Sequence, residues 1–418
     1  MGLFSRINIS NTCRRICAGF GILLAASVLL GMANPPWGFY AHRLINRMAV
    51  FILPGDMISV FKTNIEFITE HAVDPDKRRY ATKYEAVRHY IDLDHWGVAP
   101  FDSLPKNWTD AIAQNLSLYS VNDGKDTLLL YETHGDFWGM QGLNPEGYAA
   151  LRAFTREHVL PDFYEDVRMY PADTINKYFP MLGGLPDSEI LVTESFSEHG
   201  ILPYHLLVMY NRLSKAFADK DQRRILRLAA EMGHYIGDAH VPLHTTENYN
   251  GQLTGQEGIH AFWESRIPEL FAGEEYDFWV GTASYIDNPA DYFWEMTFES
   301  HAFVSDVLRT EMEVRDQVPA DRQFCFDERQ GTTILTQCRE FAEAYRNAMG
   351  GLVEDRMRKA VRALGNIWYS AWVDAGQPDM DELVYREPTE KEIRDEETLD
   401  AGFRQGVPKG RKHQDERY

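Results

Sequence analysis

The sequence predicts an all-α protein, and three observations carry that prediction. Apolar residues recur at the three-four spacing of a helix face through most of the chain. Period-two alternation, the mark of a half-buried strand, is scarce. Prolines such as Pro54 and Pro242 stand where periodic stretches stop. The chain has 418 residues and is 44% hydrophobic and 13% aromatic, enough to bury a sizeable core. No internal repeat or long flexible linker interrupts residues 37 to about 385, so a single large helical domain is expected over 34–385. Loop-like stretches such as "NGQLTGQEG" read as excursions from it.

Residues 1–33 are of another kind. Arg6, Arg14 and Arg15 precede the apolar run "GFGILLAASVLLGMA", which ends in small residues before Asn34. A basic start, an apolar middle and a small-residue exit are the plan of a secretory signal peptide, and they predict an exported, periplasmic or secreted protein. The alternative is an uncleaved membrane anchor, although the run is slightly short of a full span.

The body then opens on Ala41, Leu44, Ile45, Met48, Ala49 and Ile52, one buried helix face closed by Pro54. The same pattern predicts helices in "DMISVFKTNIEFITEHA", "LLVMYNRLSKAFA", "DQRRILRLAAEMGHYIGDAH" and "DRMRKAVRALGNIWYSAWVDAG". The last 33 residues, 386–418, combine mixed charge with few apolar side chains and predict a disordered tail. Cys325 and Cys338, the cysteines outside the leader, form an isolated pair that suits a structural disulfide in an exported chain; two buried thiols are the alternative. Net charge is −21, and because the leader carries +3 and the tail −1, the body holds −23. Such a surface disfavours a stable nucleic-acid partner or a polybasic membrane patch, so membrane contact is expected only through substrate or an uncleaved leader.

The stretch "HYIGDAHVPLHTTEN", residues 234–248, concentrates metal-capable side chains. His234 continues the buried row Leu226, Ala230, and Asp238 lies one turn further on the same face. Pro242 ends the helix and leaves His244 just beyond it. In "GIHAFWESR", His260 and Glu264 repeat the i, i+4 geometry. A lone histidine on an apolar face is usually a satisfied core residue. A carboxylate beside it is harder to account for, because burying an unpaired charge is costly. His, Asp and Glu without Cys suit zinc in a catalytic site, and five ligands exceed what one zinc needs. Two or more metals are the arrangement that displaces a phosphate ester in line.

These residues resemble a known superfamily, the bacterial zinc-dependent phospholipases C and the plant and fungal single-strand-specific nucleases. Its signature is His-Tyr-x-Gly-Asp, then Pro-x-His, then His-x3-Glu or His-x3-Asp. Here His234-Tyr235-Ile236-Gly237-Asp238, Pro242-Leu243-His244 and His260-x3-Glu264 match in order. The opening "WGFYAH", with Trp37 and His42, is similar to the nuclease branch, Ala41 replacing a glycine. "HAVDPDKRRYATKYEAVRHYIDLD" supplies the family's aspartate and following histidine as Asp74 and His89, with Asp76 a competing choice. Residues 95–195 match no part of the pattern.

The resemblance implies a helical domain of the zinc-dependent phospholipase C and nuclease type, holding two to three zinc ions. Asp74, His89, His234 and Asp238 would take the first; His244, His260 and Glu264 the second; Trp37, His42 and a shared Asp238 the third. It implies hydrolysis of a phosphodiester by metal-activated water, with Asp74 orienting the water or acting as general base. In the family the ligand tryptophan is the mature N-terminus. Cleavage after Ala33 leaves Asn34-Pro35-Pro36 ahead of Trp37, so either further trimming frees the amine ligand or the third site lacks it and is weakened. Glu264 and the missing Gly-Gly-Asn segment favour a phospholipid substrate. "WGFYAH" and the Asp74-to-His89 spacing favour a short single-stranded nucleic acid. A non-catalytic envelope protein stabilised by zinc is the third expectation. His71, His95, His199 and His205 match no motif position.

Overall fold

The periodic stretch that opens the body folds as helix α1, Tyr40–Val50, burying Ala41, His42, Ile45, Asn46 and Ala49 on one side. The structure is a computed structural model and describes residues 39–122, 126–132, 145–163, 167–180, 189–329, 332–406 and 409. The expected leader and Trp37 lie outside the described residues. Among those described, no helix is long and apolar enough to cross a membrane.

Three further helices, α2, Leu202–Ala218; α3, Gln222–Ala239; and α4, Leu352–Asp374, pack on one another, and α3 and α4 also pack on α1. Each was legible as a three-four stripe, and together they hold most of the main apolar core. Polar groups lock the bundle where backbone would otherwise lose its partners. Asn46 Nδ2 donates to the carbonyls of Ile68 and Ala230 at 3.0 and 2.9 Å, tying α1 to α3. Gly233 makes room for it, since a Cβ there would stand 1.7 Å from Asn46 Oδ1. The buried Trp368 indole donates to the Ala229 carbonyl at 3.1 Å. At the end of α3, the buried Arg356 guanidinium donates to the His240 carbonyl and Ser300 Oγ donates to that of Ala239, capping carbonyls that a helix leaves unsatisfied.

The stretch from Asp56 to Ala72, expected as one helix, is two: Gly55–Thr63 and Ile65–Glu70. Asn64 Nδ2 donates to the Val60 carbonyl at 2.8 Å, a side-chain bond that competes with the backbone ladder and breaks the helix there.

The fold is mostly helical, as expected, but a four-stranded antiparallel sheet is added to it. Strands β1 (Leu116–Asn122), β2 (Asp126–Glu132), β3 (Arg168–Pro171) and β4 (Glu189–Glu194) lie in the order β2-β1-β4-β3. This is the region that matched no pattern in the sequence. Leu116 and Leu118, with Ile190 and Val192, alternate inward onto Phe154, Phe179 and Phe196, forming a second apolar cluster. Tyr204 and Trp294 belong to it as well, so the start of α2 joins the sheet to the bundle.

A hairpin of β5 (Phe324–Arg329) and β6 (Thr332–Gln337) carries Cys325, with Cys338 following it. The expected disulfide is not formed: both thiols are free, and that of Cys338 is raised to about 11 by burial and by a hydrogen bond with Cys325.

The tail also differs from expectation. Glu390–Gln405 forms a helix that begins with a capping box between Thr389 and Glu392. Arg223 and Arg227 on α3 pair with Glu392 and Glu396, and Phe403 meets Tyr80 edge-on at 5.1 Å. Each exposed pair contributes at most ~1 kcal/mol. The helix therefore depends on this joint docking, which a composition count does not register.

Candidate metal centre

The metal-capable residues arrive from six segments and converge at the buried end of α3. His234 and Asp238 face inward from it, and His42 faces them from α1, its ring stacked on that of His234 at 4.0 Å. The short helix Asp74–Arg78 brings Asp76, and His89 follows the turn after Ala86. His244 sits on the 3₁₀ turn Pro242–Thr245, fixed by Ile91 N–H donating to its carbonyl at 2.9 Å. His260 and Glu264 lie where Ile259–Ala261 widens into a π-turn, Phe262–Arg266.

Asp238 divides the cluster into halves. Its Oδ2 lies 3.0 Å from His89 Nδ1 and 3.6 Å from His234 Nε2. Its Oδ1 lies 3.5 Å from His42 Nε2 and 3.7 Å from His244 Nε2. Beyond the first half, Asp76 Oδ1 stands 3.6 Å from His234 Nε2 and 3.8 Å from His89 Nδ1. In the second, the Glu264 carboxylate lies 3.0 Å from His42 Nε2, 3.4 Å from His244 Nε2 and 2.9 Å from His260 Nε2.

The hydrogen bonds behind the rings assign their tautomers. A carbonyl oxygen only accepts, so His234 Nδ1–H donates to Ala72 at 2.9 Å and His260 Nδ1–H to Tyr249 at 3.2 Å. Both Nε2 atoms then present lone pairs to the carboxylates. Burial holds His89 and His234 below the usual imidazole value and His244 at about 4, so neutral rings are favoured. Lone pairs facing carboxylate oxygens repel unless a cation lies between them. Ligands ~2.0–2.2 Å from zinc stand ~3.3–3.6 Å apart at tetrahedral angles, close to the separations above. Burial, with Glu264 and Asp76 nearby, pushes the Asp238 carboxyl well above the carboxylate range. Glu264 is held low despite burial, because three imidazoles surround it. Three carboxylates in one buried cluster call for positive charge, and the donor set fits divalent zinc.

Of the expected ligands, His42, His89, His234, Asp238, His244, His260 and Glu264 come together; Trp37 lies outside the described residues. Asp74 does not join them. Its carboxylate accepts from His71 at 2.5 Å and Lys77 at 2.7 Å, which hold it at about 2 against the effect of burial. Asp76 takes the place expected for Asp74. Two residues apart on one short helix point to nearly opposite sides, so only one of the pair can face α3.

Sequence reasoning also missed the polar network beside His89. Glu85, fully buried, accepts from Arg78, Arg88 and the Tyr235 hydroxyl, and lies 3.8 Å from His89 Nε2. Arg78 continues to Glu231 at 2.8 Å. The Tyr235 of the His-Tyr-x-Gly-Asp motif thereby anchors Glu85, and its ring packs against that of His89 at 5.3 Å, a role its spacing alone did not reveal.

Gly237 of the same motif is needed for His42. A Cβ there would come within 2.7 Å of His42 Nδ1. Gly237→Ala should leave the helix intact, since alanine favours it, but displace the His42 ring. We expect zinc affinity about 10–100-fold weaker, the usual cost of disturbing a ligand's support, with an unchanged helical circular-dichroism spectrum. Equilibrium dialysis against zinc measures it.

Two buried histidines outside the centre make the fold acid-sensitive. Burial and nearby arginines hold His205 well below its ordinary value and His240 at about 3. Their folded pKa is depressed, so the unfolded chain takes up the proton first. Their contribution is complete above pH ~6.5 and is lost as pH falls towards 3, by about 1.4 kcal/mol per pH unit per histidine. Urea unfolding in EDTA at pH 7 and 5.5 should show that loss, and His240→Asn should reduce the slope.

No protein-family model matches this chain, and no curated protein matches it either.

Proposed function

We propose that this chain is an exported zinc-dependent hydrolase of phosphate esters, phospholipase C-like, holding two to three ions around Asp238. The observation that supports it most is the facing of imidazole lone pairs and carboxylates across both oxygens of one buried aspartate. Zinc bound there supplies Lewis-acid activation of water and of a phosphoryl oxygen. The chain's own residues do the rest. The Tyr235 ring packs against His89, the Ala72 carbonyl fixes His234, and the Tyr249 carbonyl fixes His260. Asp76, about one-fifth exposed, is the carboxylate of the first half that solvent reaches. It is the residue we assign to accept a proton from the attacking water, in place of Asp74. The acidic body disfavours long polyanions, which supports a phospholipid over nucleic acid.

The purified mature protein with zinc should be assayed in parallel on phosphatidylcholine, single-stranded DNA and a chromogenic phosphodiester. Release of diacylglycerol is the expected result. Release of nucleotides would point to the nuclease reading. No turnover of any of the three would favour an envelope protein that keeps zinc for structure.

A further inference from the structure

His95, His199 and Glu247 meet at the surface, outside the centre described above. His95 Nδ1 lies 3.2 Å from Glu247 Oε1, and His199 Nδ1 lies 3.8 Å from the same oxygen. The two rings stack nearly parallel, 13° apart, with centroids separated by 3.3 Å. We propose that these three side chains form a separate binding site for a divalent transition-metal ion, zinc in the first instance.

Donor type is the first argument. Two imidazole nitrogens and one carboxylate oxygen are the set that zinc takes when it keeps a coordination position open. The three atoms already lie within 4.8 Å of one another.

Preorganisation is the second argument. Each ligand comes from a different segment, and the three segments are pinned together. Asp92 N–H donates to the His199 carbonyl at 2.8 Å, and Ile91 bridges Gly200. Gly200, with φ of +88°, allows this approach, because a Cβ there would stand 2.1 Å from the Tyr90 carbonyl. Asp94 accepts from Thr246 Oγ1 at 2.6 Å and from Glu247 N–H at 3.0 Å, fixing the third ligand's backbone. Trp96 stacks on Phe196 and meets both rings edge-on, backing the pair. A His–Glu ion pair is the competing account, and it predicts no metal uptake. Because Glu247 follows His244 by three residues, an ion here would also steady the loop that carries a ligand of the central site.

The test counts zinc by titration calorimetry and elemental analysis on the full chain at pH 7.5. Wild type should bind one equivalent more than His199→Ala, and that equivalent should be the weaker one. Glu247→Gln, which keeps shape and leaves the Asp94 bonds in place, should weaken it at least tenfold, and at pH 5 it should be lost first. Asp238→Asn should remove central equivalents and spare this one, which separates the proposal from the reading of the centre. Identical stoichiometry and affinities in wild type, His199→Ala and Glu247→Gln would overturn it. Should His199→Ala fail to fold, Glu247→Gln and His95→Ala, both altering exposed side chains, decide the matter.

Discussion

Asp238→Asn is expected to separate metal binding from folding more cleanly than any other single change. The carboxylate faces four imidazoles with its two oxygens, so its loss removes a ligand from both halves at once. Zinc retained after desalting should fall by at least one ion per chain. Lewis-acid contributions reach several kcal/mol and each 1.4 kcal/mol is tenfold in rate, so hydrolysis should drop at least ~10²-fold. The apo fold should respond in the opposite sense. Asp238 is buried beside Glu264 and Asp76, and both burial and those charges oppose its ionisation. Asparagine has the same shape without that charge. Thermal melts in EDTA should therefore find the variant at least as stable as wild type, whereas zinc, expected to raise the melting temperature of wild type, should no longer raise that of the variant. A variant that melts far lower in EDTA would show that Asp238 is a structural group.

The second large effect distinguishes two aspartates two residues apart. Asp76→Asn should lower hydrolysis by ~10²–10⁴-fold, the range of a general base, and the loss should persist at saturating zinc. Asp74→Asn should be mild in rate, because that side chain is engaged with His71 and Lys77. It should instead cost stability modestly, about 1–3 kcal/mol for lost charge-assisted bonds, read by urea unfolding. Equal losses of activity in the two variants would mean that the short helix Asp74–Arg78 matters as a whole, and that Asp76 has no distinct role.

Much of this was legible in the sequence where local geometry fixes the outcome. On α3, His234 and Asp238 share a face because four residues make just over one helical turn, and the structure places them so. His260 and Glu264 were readable for the same reason, and the buried stripes of α1 and α4 reported their own packing. What could not be read depends on distant partners. Choosing Asp76 over Asp74 required knowing which side of a five-residue helix meets α3. The bond from Tyr235 to Glu85, one turn before His89, spans 150 residues of chain. The sheet was missed because β2 reads "DTLLLYE", an apolar run without alternation, and because β1 and β4 pair across some seventy residues. The tail helix was missed because its partners, Arg223 and Arg227, lie on α3.

The central claim is that Asp238 lies between bound zinc ions, and diffraction at the zinc absorption edge tests it most directly. Crystals of the zinc-loaded chain should give at least two anomalous peaks flanking the Asp238 carboxylate. One should lie among Asp76, His89 and His234, and the other among His244, His260 and Glu264. An anomalous map without a peak within coordination distance of Asp238, from protein that demonstrably carries its full complement of zinc, would contradict the account.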